Sequence, residues 1–371
     1  MRVSLCMLTV SLGILQNPYP AHSQWVISGG PECHRCEIKP TSEIRLGLGE
    51  EGAIPFLLID IAEDSRGRYW VTFPYRELPR VFDRDGRVLR TLGAEGQGPG
   101  EFIGPVGIVK IPGDSMLVLD AINQRGSVVS ADFTISRSIG GIPPLADLEV
   151  VSWPDSVLGI GIIHTPSAAG FPLHLVDLGG VRAVVYRSFG HGGGEFRPSQ
   201  QYRLLRKITP VEDGQFVEAK VLEYSFSIRT VREEGLEIQR RPDWFNTPSE
   251  WNYGYYDTPP PPMVNGVSIG PRGIIWVFLR RRVEEWAAAW PEGLPQDGHF
   301  PARYLPPLDL LWRTHIDLFS GDGRRLISSG SIDGYVSSVL PGARAMVFRS
   351  ADDGSPDVRI VTFQMDGGDD T

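Results

Sequence analysis

Hydrophobic and polar residues alternate with a period of two over short stretches separated by turn-forming residues. The stretch VFDRDGRVLRTLG (81–93) aligns with VVSADFTISRSIG (128–140), and each is an alternating segment, a turn and a second segment ending in glycine. Alternation of this kind predicts β-strands, and Asp85-Gly86 is a strong hairpin signal. The same ending returns in VYRSFG (185–190) and LFSGDGRRLISSG (318–330). The sequence therefore predicts a repeated β-hairpin unit.

A second marker, a Gly- or Asp-containing turn followed by a strand, is interleaved with these units. It occurs at residues 63–73, 111–120, 152–161, 210–221, 268–279 and 339–350. Six units of four short strands, each roughly 45 residues long, are typical of a six-bladed β-propeller of the all-β class. We expect antiparallel blades over residues 42–371. SEIRLGLG (42–49) is expected to complete the last blade, because 357–366 reads as the last strand of its own unit.

The stretch LGAEGQGPGEFIGP (92–105) is rich in glycine, and a shorter copy, FGHGGGEFRP, occurs at 189–198. It has neither the Lys of a P-loop nor the following helix of a dinucleotide fold. HGGG (191–194) imitates an esterase oxyanion loop, but the chain has no G-x-S-x-G motif to supply a nucleophile. We interpret the stretch as a connection between blades, with glycines in conformations that other residues avoid and with Phe102 and Phe196 filling space between blades. Glu101 and Glu195 either accept hydrogen bonds from these loops or bind a ligand.

The segment 80–140 resembles the NHL repeat of six-bladed propellers. It is especially similar to exported bacterial propeller proteins that carry a G-x-G-P-G-E-F segment. The residues that carry the resemblance are Gly98, Pro99, Gly100, Glu101, Phe102, Asp120, Asn123 and Arg125. The resemblance is specific over residues 60–140 and weaker over 141–225 and 265–360. The third and fourth units lack the D-x-x-N-x-R element, so a family role for these residues extends only to the second unit.

Some propellers of this broad shape, such as gluconolactonase-like and paraoxonase-like enzymes, hold calcium in the central channel. They use Asp, Asn and Glu side chains of inner strands, which are hard oxygen ligands for a hard cation. Asp60, Glu149 and Asn265 would be the corresponding residues here, whereas Lys110 and Lys207 would oppose a cation. The histidines show no metal-binding spacing. We expect no metal and no cofactor, with calcium at these three residues as the alternative.

The N-terminus has the pattern of an export signal. Residues 1–23 contain one Arg near the start, an apolar stretch and an Ala21-His22-Ser23 cleavage site. The apolar stretch is too short to span a bilayer. We therefore expect a signal peptide over 1–23 and an exported protein, periplasmic or extracellular, without a membrane span. In an oxidising compartment, Cys33 and Cys36 of the N-terminal segment 24–41 are expected to form a disulfide.

The net charge of the chain argues against one class of partner, nucleic acids. The formal net charge is −9 at pH 7, and removal of residues 1–23 makes it one unit more negative. An acidic chain without a basic run does not attract phosphate backbones. We predict no nucleic-acid partner.

The fifth unit is interrupted by RRVEEWAAAWPEGLPQDGHFPARYLPP (281–307). VEEWAAAW within it predicts a short helix, because it is Ala-rich, begins with Glu and ends at a Pro. This helical insertion either packs over a blade or covers one end of the channel as a lid.

Several polar residues are predicted to lie in the loops that emerge between strands and between blades. The candidate ligand-binding residues are Tyr75, Arg76, Glu95, Glu101, Asn123, Arg125, His191 and Glu195. Hydrogen bonding between blades is the alternative role of Tyr75, Arg76, Asn123 and Arg125. No catalytic constellation is evident, so we predict a binding or scaffold module for a protein, peptide or glycan. The alternative, a channel-centred metal-dependent hydrolase of the lactonase kind or a lyase, rests on analogy of fold.

Overall fold

The computed structural model describes a ring of small β-sheets, as the sequence predicts. The residues described are 24–48, 54, 60–73, 77–143, 151–153, 156–160, 163, 168–190, 204–211, 214–246, 261–289 and 308–367. Five sheets have four strands, a sixth has five, and a two-stranded ladder lies between the first two blades. The protein is a six-bladed β-propeller.

Two strands precede the blades, and the first three blades follow in chain order. The N-terminal strands are β1 (Gln24–Ile27) and β2 (Glu37–Arg45). Blade 1 contains β3 (Asp60–Glu63), β4 (Tyr69–Thr72), β5 (Arg80–Phe82) and β6 (Val88–Thr91). The ladder β7 (Ala94–Glu95) and β8 (Glu101–Phe102) leads to blade 2, with β9 (Pro105–Ile111), β10 (Ser115–Asp120), β11 (Arg125–Val129) and β12 (Ile135–Gly140). Blade 3 contains β13 (Val151–Trp153), β14 (Ser156–Ile160), β15 (Leu173–Asp177) and β16 (Val184–Phe189).

The remaining blades repeat the same order. Blade 4 contains β17 (Arg206–Pro210), β18 (Gln215–Lys220), β19 (Ser225–Thr230) and β20 (Glu237–Arg240). Blade 5 contains β21 (Met263–Ile269), β22 (Ile275–Arg282), β23 (Trp312–Phe319) and β24 (Leu326–Ile332). Blade 6 contains β25 (Tyr335–Leu340), β26 (Arg344–Ser350) and β27 (Pro356–Asp366). Each blade begins with its innermost strand, and each innermost strand contacts the innermost strands of both neighbouring blades.

An N-terminal strap, residues 24–45, ties three blades together on the outside of the ring. Strand β1 adds to β20 of blade 4 in parallel, and the backbone N–H groups of Glu32 and Cys33 donate to carbonyls of β24 in blade 5. Strand β2 then pairs with β27 and becomes the fourth strand of blade 6. This confirms closure of the ring by an N-terminal strand, although the strand starts at Glu37 and ends at Arg45. Cys33 and Cys36 form a disulfide within the strap.

The core lies between the blades because side chains of a strand point alternately to its two faces. Along β22, Val277 and Leu279 pack in the cluster shared with blade 4, whereas Trp276 and Phe278 pack in the cluster shared with blade 6. Both faces of the strand are thereby buried, so β22 is an almost continuous hydrophobic run.

The glycine-rich stretch 92–105 forms the connection from blade 1 to blade 2. Gly93 has a φ of 68°, and a Cβ atom there would lie 2.3 Å from the Gly100 carbonyl oxygen, so the close approach requires glycine. Phe102 is fully buried in the cluster between the two blades. Phe196, in the shorter copy, lies outside the described residues.

The insertion in blade 5 differs from the predicted helix. Trp286–Ala289 forms one 3₁₀ turn, and an α-helical turn, α1 (Leu308–Leu311), follows before β23. Four alanine-rich residues before Pro291 are too few to offset the free-energy cost of helix nucleation. Residues 290–307 lie outside the described part. None of the described helices has the length and apolar character needed to cross a membrane.

Candidate functional site

A cavity of about 400 Å³ lies in the channel at the C-terminal ends of the innermost strands. Described residues of blades 1, 2, 4, 5 and 6 line it, because those strands all end at the same end of the ring. Its apolar walls come from β-branched and aliphatic side chains. These are Ile61, Val109, Ile208, Val267, Val339 and Leu340. A concave, largely apolar site with a few polar groups is the usual form of a ligand pocket.

Most of the charged groups around this cavity are already paired. The Arg344 guanidinium donates to the Glu63 carboxylate over 2.6 Å. Although burial alone would lower the pKa of Arg344, the Glu63 carboxylate raises it above its usual value. Asp64 accepts from the Arg68 guanidinium at 2.6 Å and from the Trp70 indole at 2.9 Å. Burial would raise the pKa of Asp64, but the bonds from Trp70 and Arg68 hold it below its usual value. These groups fix the shape of the cavity.

Lys110 is the exception among the charged residues of the cavity. It lies near the end of β9, its side chain is exposed, and it has no ion pair or hydrogen bond to any residue that the structure describes. An ammonium group in this position is free to meet an anionic group of a ligand.

The residues proposed for calcium are engaged with the protein itself. The Asp60 carboxylate accepts from the backbone N–H of Ile61 at 2.8 Å and, across to blade 2, from that of Ile108 at 3.0 Å. Asn265 accepts from Arg280 and donates to the Val336 carbonyl of blade 6. Glu149 lies outside the described residues. Over the described ranges, no three His, Cys, Asp or Glu side chains are grouped as a metal would require.

The predicted ligand residues near the glycine-rich loop hold that loop in place. Asp120, 1 % exposed, accepts from the backbone N–H groups of Ile103, Gly104 and Asn123. The Asn123 amide donates to Asp120 and to the Gly96 carbonyl, and Arg125 donates to the carbonyls of Gln97 and Glu101. The D-x-x-N-x-R element thus anchors the loop through its side chains.

The two glutamates of this loop differ in their surroundings. The Glu101 carboxylate folds back to accept from the Gly98 N–H at 2.6 Å. Glu95 is exposed on the two-stranded ladder, and it stays a candidate for ligand contact. Tyr75, Arg76, His191 and Glu195 lie outside the described residues.

A buried charged network between blades 4 and 5 was missed by the sequence analysis. Asp317, fully buried on β23, accepts from Tyr224 and Arg240 of blade 4 and from His315 Nε2 at 3.1 Å. Burial would raise the pKa of Asp317, but bonding to His315 and the Arg240 charge hold it below its usual value. The only sequence signal was His315-Ile316-Asp317, whose spacing of two puts both polar side chains on one face of a strand.

Comparison with known proteins gives the fold and no family. No protein-family model matches the chain, and no curated protein matches it. A member of the DUF4221 family from Bacteroides vulgatus ATCC 8482 has a TM-score of 0.62 at 11% identity, covering 90% of this chain and 99% of the other. A protein of Bacteroides fragilis NCTC 9343 named as exported has a TM-score of 0.58 at 11% identity, covering 93% and 100%. Virginiamycin B lyase from Staphylococcus aureus has a TM-score of 0.42 at 12% identity, covering 88% and 99%.

Proposed function

We propose that this propeller is a binding module that holds a protein, peptide or glycan ligand at the cavity in its channel. The observation that carries the proposal is the combination of apolar walls with the Lys110 ammonium, which has no partner among the described residues, at one end of the ring. Apolar surface supplies affinity, and a placed charge supplies orientation. A ligand that places an apolar group against the walls and an anionic group beside Lys110 would match both features of the cavity.

The pairing of the other charged groups supports binding over acid–base chemistry. Glu63 is engaged by Arg344, Asp64 by Arg68 and Trp70, and Asp60 by backbone N–H groups. A general acid or base must reach a proton of the substrate, and these carboxylates are held by the protein. They act as walls of the cavity.

We further propose that the protein is exported and related to NHL-like bacterial propellers. The pattern of residues 1–23 and the disulfide between Cys33 and Cys36 support export, as does the name of the Bacteroides fragilis protein of similar fold. The D-x-x-N-x-R element that anchors the G-P-G-E-F loop supports the relationship. Cell fractionation of the chain with and without residues 1–23 tests export; retention of both forms in the cytoplasm would contradict it.

The binding proposal is tested by screening residues 24–371 against a displayed peptide library and a glycan array. Ligands found are then measured by calorimetry with the wild type and with Lys110→Glu. The control is Arg90→Glu, a charge reversal at an exposed residue of β6. We expect Lys110→Glu to weaken binding at least tenfold and the control to leave it unchanged. Equal binding by both variants, or no ligand in either screen, would contradict a ligand site at this cavity.

A further inference from the structure

We propose that Arg280, where blades 5 and 6 meet, is a binding site for the carboxylate of an acidic peptide. Arg280 pairs with Met263, the first residue of the innermost strand β21. The cavity lies at the other ends of the innermost strands. The Arg280 site is therefore separate from the cavity, and it stands or falls independently of the binding function proposed above.

The Arg280 guanidinium is held in a fixed orientation. Its Nε donates to Asn265 Oδ1 over 2.7 Å, and Asn265 is itself fixed by the bond from its amide to the Val336 carbonyl. The Cζ atom lies 5.2 Å from the ring centroids of both Trp312 and Tyr335. Cation–π contacts of this kind position an arginine without neutralising its charge. Neither Nη group has a partner among the residues that the structure describes.

Among the described residues, no carboxylate compensates the charge of Arg280, in contrast to three other arginines between blades. Arg344 pairs with Glu63, Arg240 with Asp317 and Arg229 with Glu218. No carboxylate of a described residue lies within ion-pair distance of Arg280, and its side chain is partly buried. An ion that is partly removed from water without a counter-charge is costly. A ligand carboxylate would remove that cost.

The surroundings of Arg280 favour an anion. The buried indole N–H of Trp312, whose ring Arg280 contacts, has no acceptor among the described residues. Side chains two apart on a strand share a face, and Arg282, exposed on β22, follows Arg280 on this face. Arg281 points to the other face, with its Cζ 5.4 Å from the Trp244 ring.

A carboxylate fits this arrangement better than a phosphate. With Nε occupied by Asn265, the paired Nη groups present the end-on edge of the guanidinium, which matches the two oxygens of a carboxylate. A single fixed guanidinium balances one negative charge, whereas a phosphate carries up to two. Arg282 is positioned to meet a neighbouring acidic residue of the same peptide.

The test uses residues 24–371 and a fluorescent tetraglutamate peptide, with tetraglutamine as the uncharged control. Binding is followed by anisotropy for the wild type, Arg280→Gln, Arg280→Lys, Arg282→Gln and the surface control Arg90→Gln. We expect at least a tenfold loss with Arg280→Gln, because hydrogen bonds to charged groups are the stronger ones. Arg280→Lys should weaken peptide binding nearly as much, because lysine keeps the charge but lacks the paired N–H groups of the guanidinium. Arg282→Gln should cost about threefold, and Arg90→Gln nothing.

A measurement on the unmodified protein guards against variants that fail to fold. Phenylglyoxal labels accessible arginines, and peptide mapping by mass spectrometry reports each one separately. Tetraglutamate should protect Arg280 and leave Arg90 labelled. Unchanged labelling of Arg280, or equal affinity of the wild type and a folded Arg280→Gln, would overturn the site. Displacement of the peptide by inorganic phosphate at lower concentration than by succinate would overturn the carboxylate assignment.

Discussion

Replacing Asp120 with alanine tests whether the signature residues of blade 2 serve the architecture. The carboxylate accepts at 2.8 Å from Ile103 N, 3.2 Å from Gly104 N, and 2.9 Å from both the backbone and the amide nitrogen of Asn123. Hydrogen bonds to a charged group contribute about 1.5–3 kcal/mol each. Some of these donors would reach water after the substitution, so we expect a loss of about 3 kcal/mol in the free energy of unfolding.

The assay is equilibrium unfolding in urea, followed by tryptophan fluorescence. The matched control is Asp132→Ala, which removes an exposed turn aspartate that accepts from Ser130 and from Thr134 N. We expect the control to lose much less stability than Asp120→Ala, since its donors are exposed to water. An Asp120→Ala variant no less stable than the control would refute the anchoring role of Asp120. The hydrogen bonds of the loop would then contribute little to the stability of the ring.

Three further predictions concern the core, the charges and the strap. Phe102→Ala should cost about 3–5 kcal/mol in urea unfolding, since the ring is fully buried between blades 1 and 2; a loss below 1 kcal/mol would contradict this. Burial would raise the pKa of Glu237, but Lys220, with smaller contributions from Ser225 and Gln239, lowers it from 4.5 to about 2. Its contribution, up to about 3 kcal/mol, is present above pH 4.5 and lost as the pH falls towards 2. The stability gap between wild type and Lys220→Met should therefore close over that range, and a constant gap would be contrary evidence. Deleting residues 24–27 removes the backbone hydrogen bonds between β1 and β20, and it should lower the free energy of unfolding by about 2 kcal/mol. It should also speed amide exchange in β20; unchanged exchange would argue against the strap.

The strands could be predicted because both faces of a blade are buried. A period of two, interrupted by turns, is a local property, and it located the second strand of every blade and the outer two strands of blades 1 and 2. The closing strand was predicted to begin at residue 42, yet it begins at Glu37. The first half of the strand was missed because of Pro40, since proline lacks a backbone N–H and argues against a strand. It is tolerated in β2 because β2 is an edge strand, with a shift of register between Pro40 and Ser42.

The candidate site could not be predicted in the same way. Its described lining comes from one to five residues of each of five blades, which are far apart in the sequence. Strand β1 was also missed, since four residues that add in parallel to an outer edge leave no local pattern. A contact that forms only when the ring closes joins residues far apart in the sequence, so it leaves no pattern within any one segment.

In this repeat fold, the residues that form the most recognisable motif serve one connection, the loop between blades 1 and 2. Asp120, Asn123 and Arg125 stand out in the sequence, and their side chains are used to hold a loop. A residue that binds a ligand must instead leave at least one charged or polar group available. Among the described residues, the Lys110 ammonium and the Arg280 Nη groups have no partner; they lie at the two ends of the ring, and neither residue belongs to a motif. Charged residues without a partner among the described residues are therefore better candidates for ligand contact than the residues of the repeat motif.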